Sequence, residues 1–285
     1  MRGRLLGLVI RSLEIASAMI KGPTYSDLTY AVVEGRELCL DLYLPFWTRS
    51  CPLVVFFHGG GWSDGTYKRP GLEWLTGYGF AVATVQYRLT NVATFPAQLH
   101  DAKGAIRWLR AHAPEYGYDA GRIGTVGFSS GAHLAMMAGL AQGDDFLEGV
   151  IGGNLEASSV VNAVVDYYGA TDFILRAQSQ PEQTEKPGSV VYKLLGSAVS
   201  ENESLAQQAS PAYHVGENAP PLFVIHGEQD PQVCVDQAHR IVAYYQENQK
   251  EVTVEILPEG GHGGAEFFSQ KYREQVAAFL REHLC

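Results

Sequence analysis

Ser129 stands in Gly127-Phe128-Ser129-Ser130-Gly131, and about seventy residues earlier the chain carries His58-Gly59-Gly60-Gly61-Trp62. The later string fits G-x-S-x-G, a strand-to-helix elbow that lifts a serine hydroxyl above a parallel sheet. The earlier one fits a glycine-rich loop that turns backbone N–H groups toward the oxygen of a reacting carbonyl. Glycine turns are common, so either string alone says little. In this order, each directly after an apolar run, they point to acyl transfer through a serine nucleophile.

A serine hydroxyl needs a base, and the base needs an orienting acid. After a serine elbow of this kind the acid comes next and the histidine last. His262 lies in Pro258-Glu259-Gly260-Gly261-His262-Gly263-Gly264, where glycines on both sides let it lean over a sheet edge. Asp230 lies in Glu228-Gln229-Asp230-Pro231, just after the apolar run Leu222 to Ile225. The reading is Ser129 as nucleophile, His262 as general base and then acid, and Asp230 as orienter. Asp172 is the rival orienter, since it also follows a strand; Asp166 falls inside one. His133, one turn along the helix after Ser129, is expected to pack, and His58 and His226 to brace the loops where their strands end. As metal ligands, His58, His226, Asp230 and His262 lack a close-spaced histidine pair. The bland alternatives are a plain tight turn at Gly59 to Gly61 and a capping role for Ser129.

These residues need a frame. Leu53-Val54-Val55-Phe56-Phe57 is apolar throughout, the mark of a strand covered on both faces. It ends at the glycines, so they sit at the carboxyl end of a strand, where open α/β sheets place ligands. Residues 122–127 read as another strand, and Ala132 to Ala138 as a helix without a breaker. That helix would aim free N–H groups and a partial positive charge at a developing oxyanion. Residues 28–44 read as an antiparallel hairpin turning at Glu34-Gly35, 80–85 as a strand, 97–112 as an amphipathic helix, 190–196 as a short helix, and 251–257 as the last strand. Residues 143–159 and 176–188 are expected to be irregular connections at the carboxyl end, where substrate loops belong.

Seven stretches in family order carry a resemblance. They are Phe56 to Trp62, Gln86 to Leu89, Phe95 to Gln98 with Asp101 and Arg107-Trp108-Leu109, Gly127 to Ala135, Ala163 to Gly169, Ala209-Ser210-Pro211, and His226 to Pro231. Over roughly residues 25–285 the chain resembles the hormone-sensitive-lipase-like esterase branch of the α/β-hydrolases, and within it the small bacterial esterases of feruloyl and glucuronoyl type. The resemblance implies a mostly parallel central sheet flanked by helices, and oxyanion donors from the backbones of Gly60, Gly61 and Ser130. Position 130 is usually alanine in that family; serine keeps the N–H. It implies hydrolysis of short-chain carboxylic esters without a cofactor or metal. The alternatives are an arylformamidase, a feruloyl or acetyl esterase on plant cell-wall carbohydrate, a lipase with an apolar lid, or a binding module that has lost catalysis.

Composition narrows the partners. With 31 acidic against 21 basic residues the net charge is −10, which opposes the phosphate neutralisation that nucleic-acid binding needs. No Walker loop or G-x-G-x-x-G follows a strand, so a nucleotide cofactor has no cradle. The four cysteines, Cys39, Cys51, Cys234 and Cys285, are too scattered for a disulfide framework, a Cys39–Cys51 bridge being the one alternative. At 285 residues a single catalytic domain over 23–285 is expected. Residues 1–22 stand apart: Leu5, Val9, Leu13, Ala16 and Ile20 recur at helical spacing. An amphipathic helix packing on the body or capping the cleft is expected there. Arg11 and Glu14 interrupt the apolar run, so a degenerate signal peptide or surface anchor is only the alternative, and stable membrane insertion is not expected. The expectation is a cytoplasmic protein acting on a small ester, with a homodimer, or a secreted or surface-associated form, as the alternatives that segment leaves open.

Overall fold

Nine residues from Tyr25 to Val33 (β1) turn back through Glu34 and Gly35, both at positive φ, into Arg36–Tyr43 (β2). Two consecutive left-handed residues give a turn whose twist matches that of the paired strands. The computed structural model describes residues 22–68 and 70–285. The helix expected over residues 1–22 lies, but for Gly22, outside the described residues.

The remaining strands are β3 (Cys51–Phe57), β4 (Ala81–Val85), β5 (Tyr118–Phe128), β6 (Ala163–Tyr167), β7 (Leu222–Gly227) and β8 (Val252–Leu257). They form one sheet of eight strands in the order β1-β2-β4-β3-β5-β6-β7-β8. Pairing is antiparallel from β1 through β2 to β4 and parallel beyond. The parallel part reads as uninterrupted apolar sequence because both faces are covered. Leu53, Val55 and Phe57 belong to the core on one face, and Val54 and Phe56 to the core on the other.

Ala97–Tyr116 (α1), Ser130–Leu140 (α2) and, further along, Asp236–Glu247 (α7) contribute to the first core, and Gln270–Leu284 (α8) to the second. Helix α1 runs past its expected end at residue 112. Pro114 removes a single backbone donor in the last turn, and Gly117, at φ 82°, closes the helix by donating to the Ala113 carbonyl. Strand β5 begins already at Tyr118, where it pairs with Cys51 before an irregularity that restores register at Ile123 with Leu53.

The stretches expected to be irregular hold short helices. Asp145–Glu148 (α3) starts where the Asp144 carboxylate accepts from the Phe146 N–H, and Phe173–Ser179 (α4) where the Asp172 carboxylate accepts from the Leu175 N–H. A side-chain cap satisfies donors that so short a helix otherwise leaves open. Val190–Leu195 (α5) ends at Gly196, and Glu203–Gln208 (α6) starts from an Asn202 cap. Helix α3 is tied to α1 by ion pairs: Glu148 meets Lys103 at 2.7 Å and also Arg107, both of which are buried. All four cysteines are free thiols. Among the described residues no helix is long and apolar enough to cross a membrane.

Candidate active site

At the end of β5 the chain reverses at Ser129, held at φ 53° and ψ −119°, before entering α2. A β-branched or bulky residue tolerates that conformation poorly, and its cost is met by the packing around it. The flanking glycines allow the reversal. A β-carbon on Gly127 would lie 2.1 Å from the Gly131 carbonyl oxygen, and one on Gly131 would lie 2.1 Å from that of Phe57. A β-carbon on Gly59 would stand 2.9 Å from the Phe128 carbonyl oxygen, so elbow and glycine loop touch through their main chains.

The glycine loop leaves β3 with Gly60 at φ 120° and Gly61 at φ 59°. Its shape is held from behind by His58. Nδ1 of that residue bonds the Gly59 carbonyl at 2.8 Å, and its ring stacks on Tyr87, whose hydroxyl donates to the His58 carbonyl at 2.8 Å. Burial holds the His58 imidazole below its ordinary value, which suits a neutral brace. The backbone N–H groups of Gly60, Gly61 and Ser130 donate to no atom among the described residues. All three residues line one cleft of about 460 Å³ together with Ser129 and His262.

His262 reaches over the sheet from the loop after β8. Its Nε2 lies 2.8 Å from Ser129 Oγ, and its Nδ1 lies 2.6 Å from Asp230 Oδ2. Tyr168 packs edge-on against the imidazole, with ring centroids 5.0 Å apart. Asp230 leaves β7 at its carboxyl end, and its Oδ1 accepts from the Gln232 and Val233 N–H groups at 2.8 and 2.9 Å. Burial alone would raise its pKa; the neighbouring imidazoles of His226 and His262 and the Val233 N–H outweigh it and hold the carboxyl well below the usual range.

The other candidates lie elsewhere. Asp172 caps α4 and pairs with Arg240 at 2.9 Å, without contact to His262. His133 is buried against the Ala209 carbonyl at 2.7 Å, and desolvation lowers its pKa to about 4. His226 donates from Nε2 to the Val233 carbonyl at 2.8 Å, bracing the loop that carries Asp230. Asp166 is buried inside β6, accepts from the Gly169 N–H at 2.7 Å, and is pushed up to about 6 by desolvation. Among the described residues no group of His, Cys, Asp or Glu side chains is gathered as a metal site. Two cleft residues, Tyr168 and Arg176, were not singled out by sequence reasoning. Tyr168 lies in a stretch read only for the resemblance, and Arg176 opens a stretch expected to be a substrate loop, with none of its residues given a role.

The family model BD-FAE matches residues 40–244. The esterase LipQ of Mycobacterium tuberculosis is 31% identical over 268 residues, covering 90% of this chain and 61% of LipQ. Among solved structures, a truncated carbohydrate esterase from gut microbiota superposes with a TM-score of 0.82 at 28% identity, covering 92% of this chain and 99% of that one. Esterase 2 of the planctomycete Thermogutta terrifontis, solved with propionate and with butyrate, superposes with a TM-score of 0.72 in both; in the propionate structure identity is 26% over 91% of this chain and 94% of that one. The chain belongs to the BD-FAE family of α/β-hydrolase esterases. It spans less than two thirds of the length of the first curated relatives it matches.

Proposed function

We propose that the protein is a serine carboxylesterase that hydrolyses short-chain carboxylic esters through an acyl-enzyme. Ser129 Oγ attacks the ester carbonyl while His262 Nε2 takes its proton. The carbonyl π electrons move to the oxygen, which the N–H groups of Gly60, Gly61 and Ser130 stabilise. Collapse of that intermediate breaks the bond to the alcohol, and His262 returns the proton to the leaving oxygen. Water, deprotonated by His262, then attacks the acyl-enzyme, and Ser129 leaves with the proton as the acid is freed. Asp230 fixes the imidazole tautomer and stabilises its cation throughout.

The observation that carries the reading is the chain of hydrogen bonds from Ser129 through His262 to Asp230, at 2.8 and 2.6 Å. Three backbone donors without partners among the described residues belong to residues that line the same cleft, where one oxyanion donor is worth about 3–4 kcal/mol of barrier. Short acyl groups suit a cleft of about 460 Å³ and the acids bound to the Thermogutta esterase. A second reading, acyl esters of cell-wall sugars, draws on the likeness to the gut carbohydrate esterase. Chromogenic esters of graded acyl length, assayed beside a feruloyl ester, an acetylated xylo-oligosaccharide and an aryl formamide, test both. Turnover of the acetate or butyrate ester is expected; cleavage of the formamide alone would overturn the assignment in favour of an arylformamidase.

A further inference from the structure

We propose that the cleft selects esters carrying a free carboxylate, and that Arg176 is the specificity residue that holds it; the inference rests on the reading of the cleft as an esterase site. Arg176 is only 3% exposed, yet it lines the cleft with Ser129 and His262. A buried cation is normally paired with a carboxylate. Among the described residues the other two buried cations, Lys103 and Arg107, both meet Glu148. No carboxylate oxygen lies within 4.0 Å of the Arg176 guanidinium among the described residues.

Its protein contacts leave it half used. Nη2 donates to the Gln232 carbonyl at 2.7 Å, and Nε lies 3.4 Å from Gln180 Oε1. Nη1 makes no hydrogen bond among the described residues. Of the five N–H donors in the fork, those two bonds engage two. Asp230 does not take the rest, because both its oxygens are held by the Gln232 and Val233 N–H groups and by His262. Burial lowers the guanidinium to about 10, so it stays cationic at neutral pH.

The remainder of the lining fits an anion. Although the chain carries a net charge of −10, the cleft is lined by no aspartate or glutamate. Beside Arg176 stand the neutral amides of Gln183 and Gln232 and the apolar Val190. A planar fork with open donors on a largely buried arginine is the geometry that takes a carboxylate in two parallel hydrogen bonds. The carboxylate can sit on the acyl side, as in a half-ester of a dicarboxylic acid, or on the alcohol side, as in an acyl ester of a uronic acid.

Two substrate pairs that differ only in charge separate these cases: monoethyl succinate against ethyl succinamate, and acetylated glucuronic acid against acetylated glucuronamide, each followed by acid release. The wild-type enzyme should prefer the carboxylate member of at least one pair by about ten- to a hundred-fold in kcat/KM, the range of one charge-assisted hydrogen bond. The pair that responds identifies the side. Arg176→Gln should abolish the preference and Arg176→Lys should keep part of it; the wild-type comparison stands even if neither variant folds. Amide members cleaved as well as the carboxylate members of both pairs, or a preference that survives in Arg176→Gln, would overturn the inference and leave the esterase reading intact. Absence of turnover on every ester would overturn both.

Discussion

His226 Nε2 lies 3.4 Å from Asp230 Oδ2, the oxygen that also holds His262. The carboxylate bonded to the cleft imidazole therefore rests against a second, fully buried imidazole four residues back along the chain. Asp230→Asn should cut kcat by about four orders of magnitude, because an amide no longer fixes the required tautomer of His262. Asp172→Asn should leave kcat within about three-fold, since asparagine still caps α4 and only the Arg240 pair is lost. Parallel steady-state assays decide; a worse loss in Asp172→Asn would move the orienter to the earlier strand.

Ser129→Ala should remove hydrolysis by about four orders of magnitude or more. Alanine at φ 53° keeps the elbow's conformation, and one part-buried hydrogen bond is lost, so stability should change by less than about 1.5 kcal/mol. Activity and urea unfolding measured on one preparation check both halves.

Gly131→Ala should unfold the elbow. The new carbon would stand 2.1 Å from the Phe57 carbonyl oxygen and 2.4 Å from that of His58, both backbone atoms that cannot step aside. A loss of more than about 3 kcal/mol is expected, read as a lowered denaturation midpoint. A variant of native stability would mean the elbow is looser than its contacts imply.

Asp166 makes stability fall as pH rises. Its carboxyl is held at about 6 by burial, with His226 and the Gly169 N–H pulling the other way. A folded-state pKa above the unfolded one means that the native state binds the extra proton. The penalty is absent below about pH 4, grows as the pH rises toward about 6, and is complete beyond. Denaturation of the wild type and of Asp166→Asn at graded pH should show the variant gaining on the wild type across that window and running parallel above it.

Glu148→Ala should cost about 3 kcal/mol or more, because it strands Lys103 and Arg107 as buried cations without a carboxylate. Glu148→Ala combined with Lys103→Met should recover part of that loss in the same unfolding assay.

The strands ending at Phe57 and Phe128, and the loops they feed, were legible because each joins a local apolar pattern to glycines that only close backbone contact requires. Asp230 and His262 could be assigned from their order along the chain. Short helices such as Phe173–Ser179 escaped because a capped pair of turns has too few residues to show a period. Arg176 was legible only as the first residue of an expected substrate loop, not as a cleft residue in its own right. One arginine in a glutamine- and proline-rich stretch looks like solvated surface until the fold brings Gln180, Gln232 and the cleft around it. The spacing of Leu5 to Ile20 remains the only ground for a helix before Gly22.

The contact of Gly59 with the Phe128 carbonyl, like that of Gly131 with Phe57, is made by main chain alone. The spacing between elbow and glycine loop is thus set by backbone atoms and not by Gln183 or Arg176 in the cleft wall. Those two residues can change identity while that spacing stays put. Val190 is the exception, since its Cγ1 would lie 3.1 Å from a β-carbon on Gly61. Under the proposed function, Gln183 and Arg176 can therefore tune which ester is preferred without moving the backbone that frames Ser129.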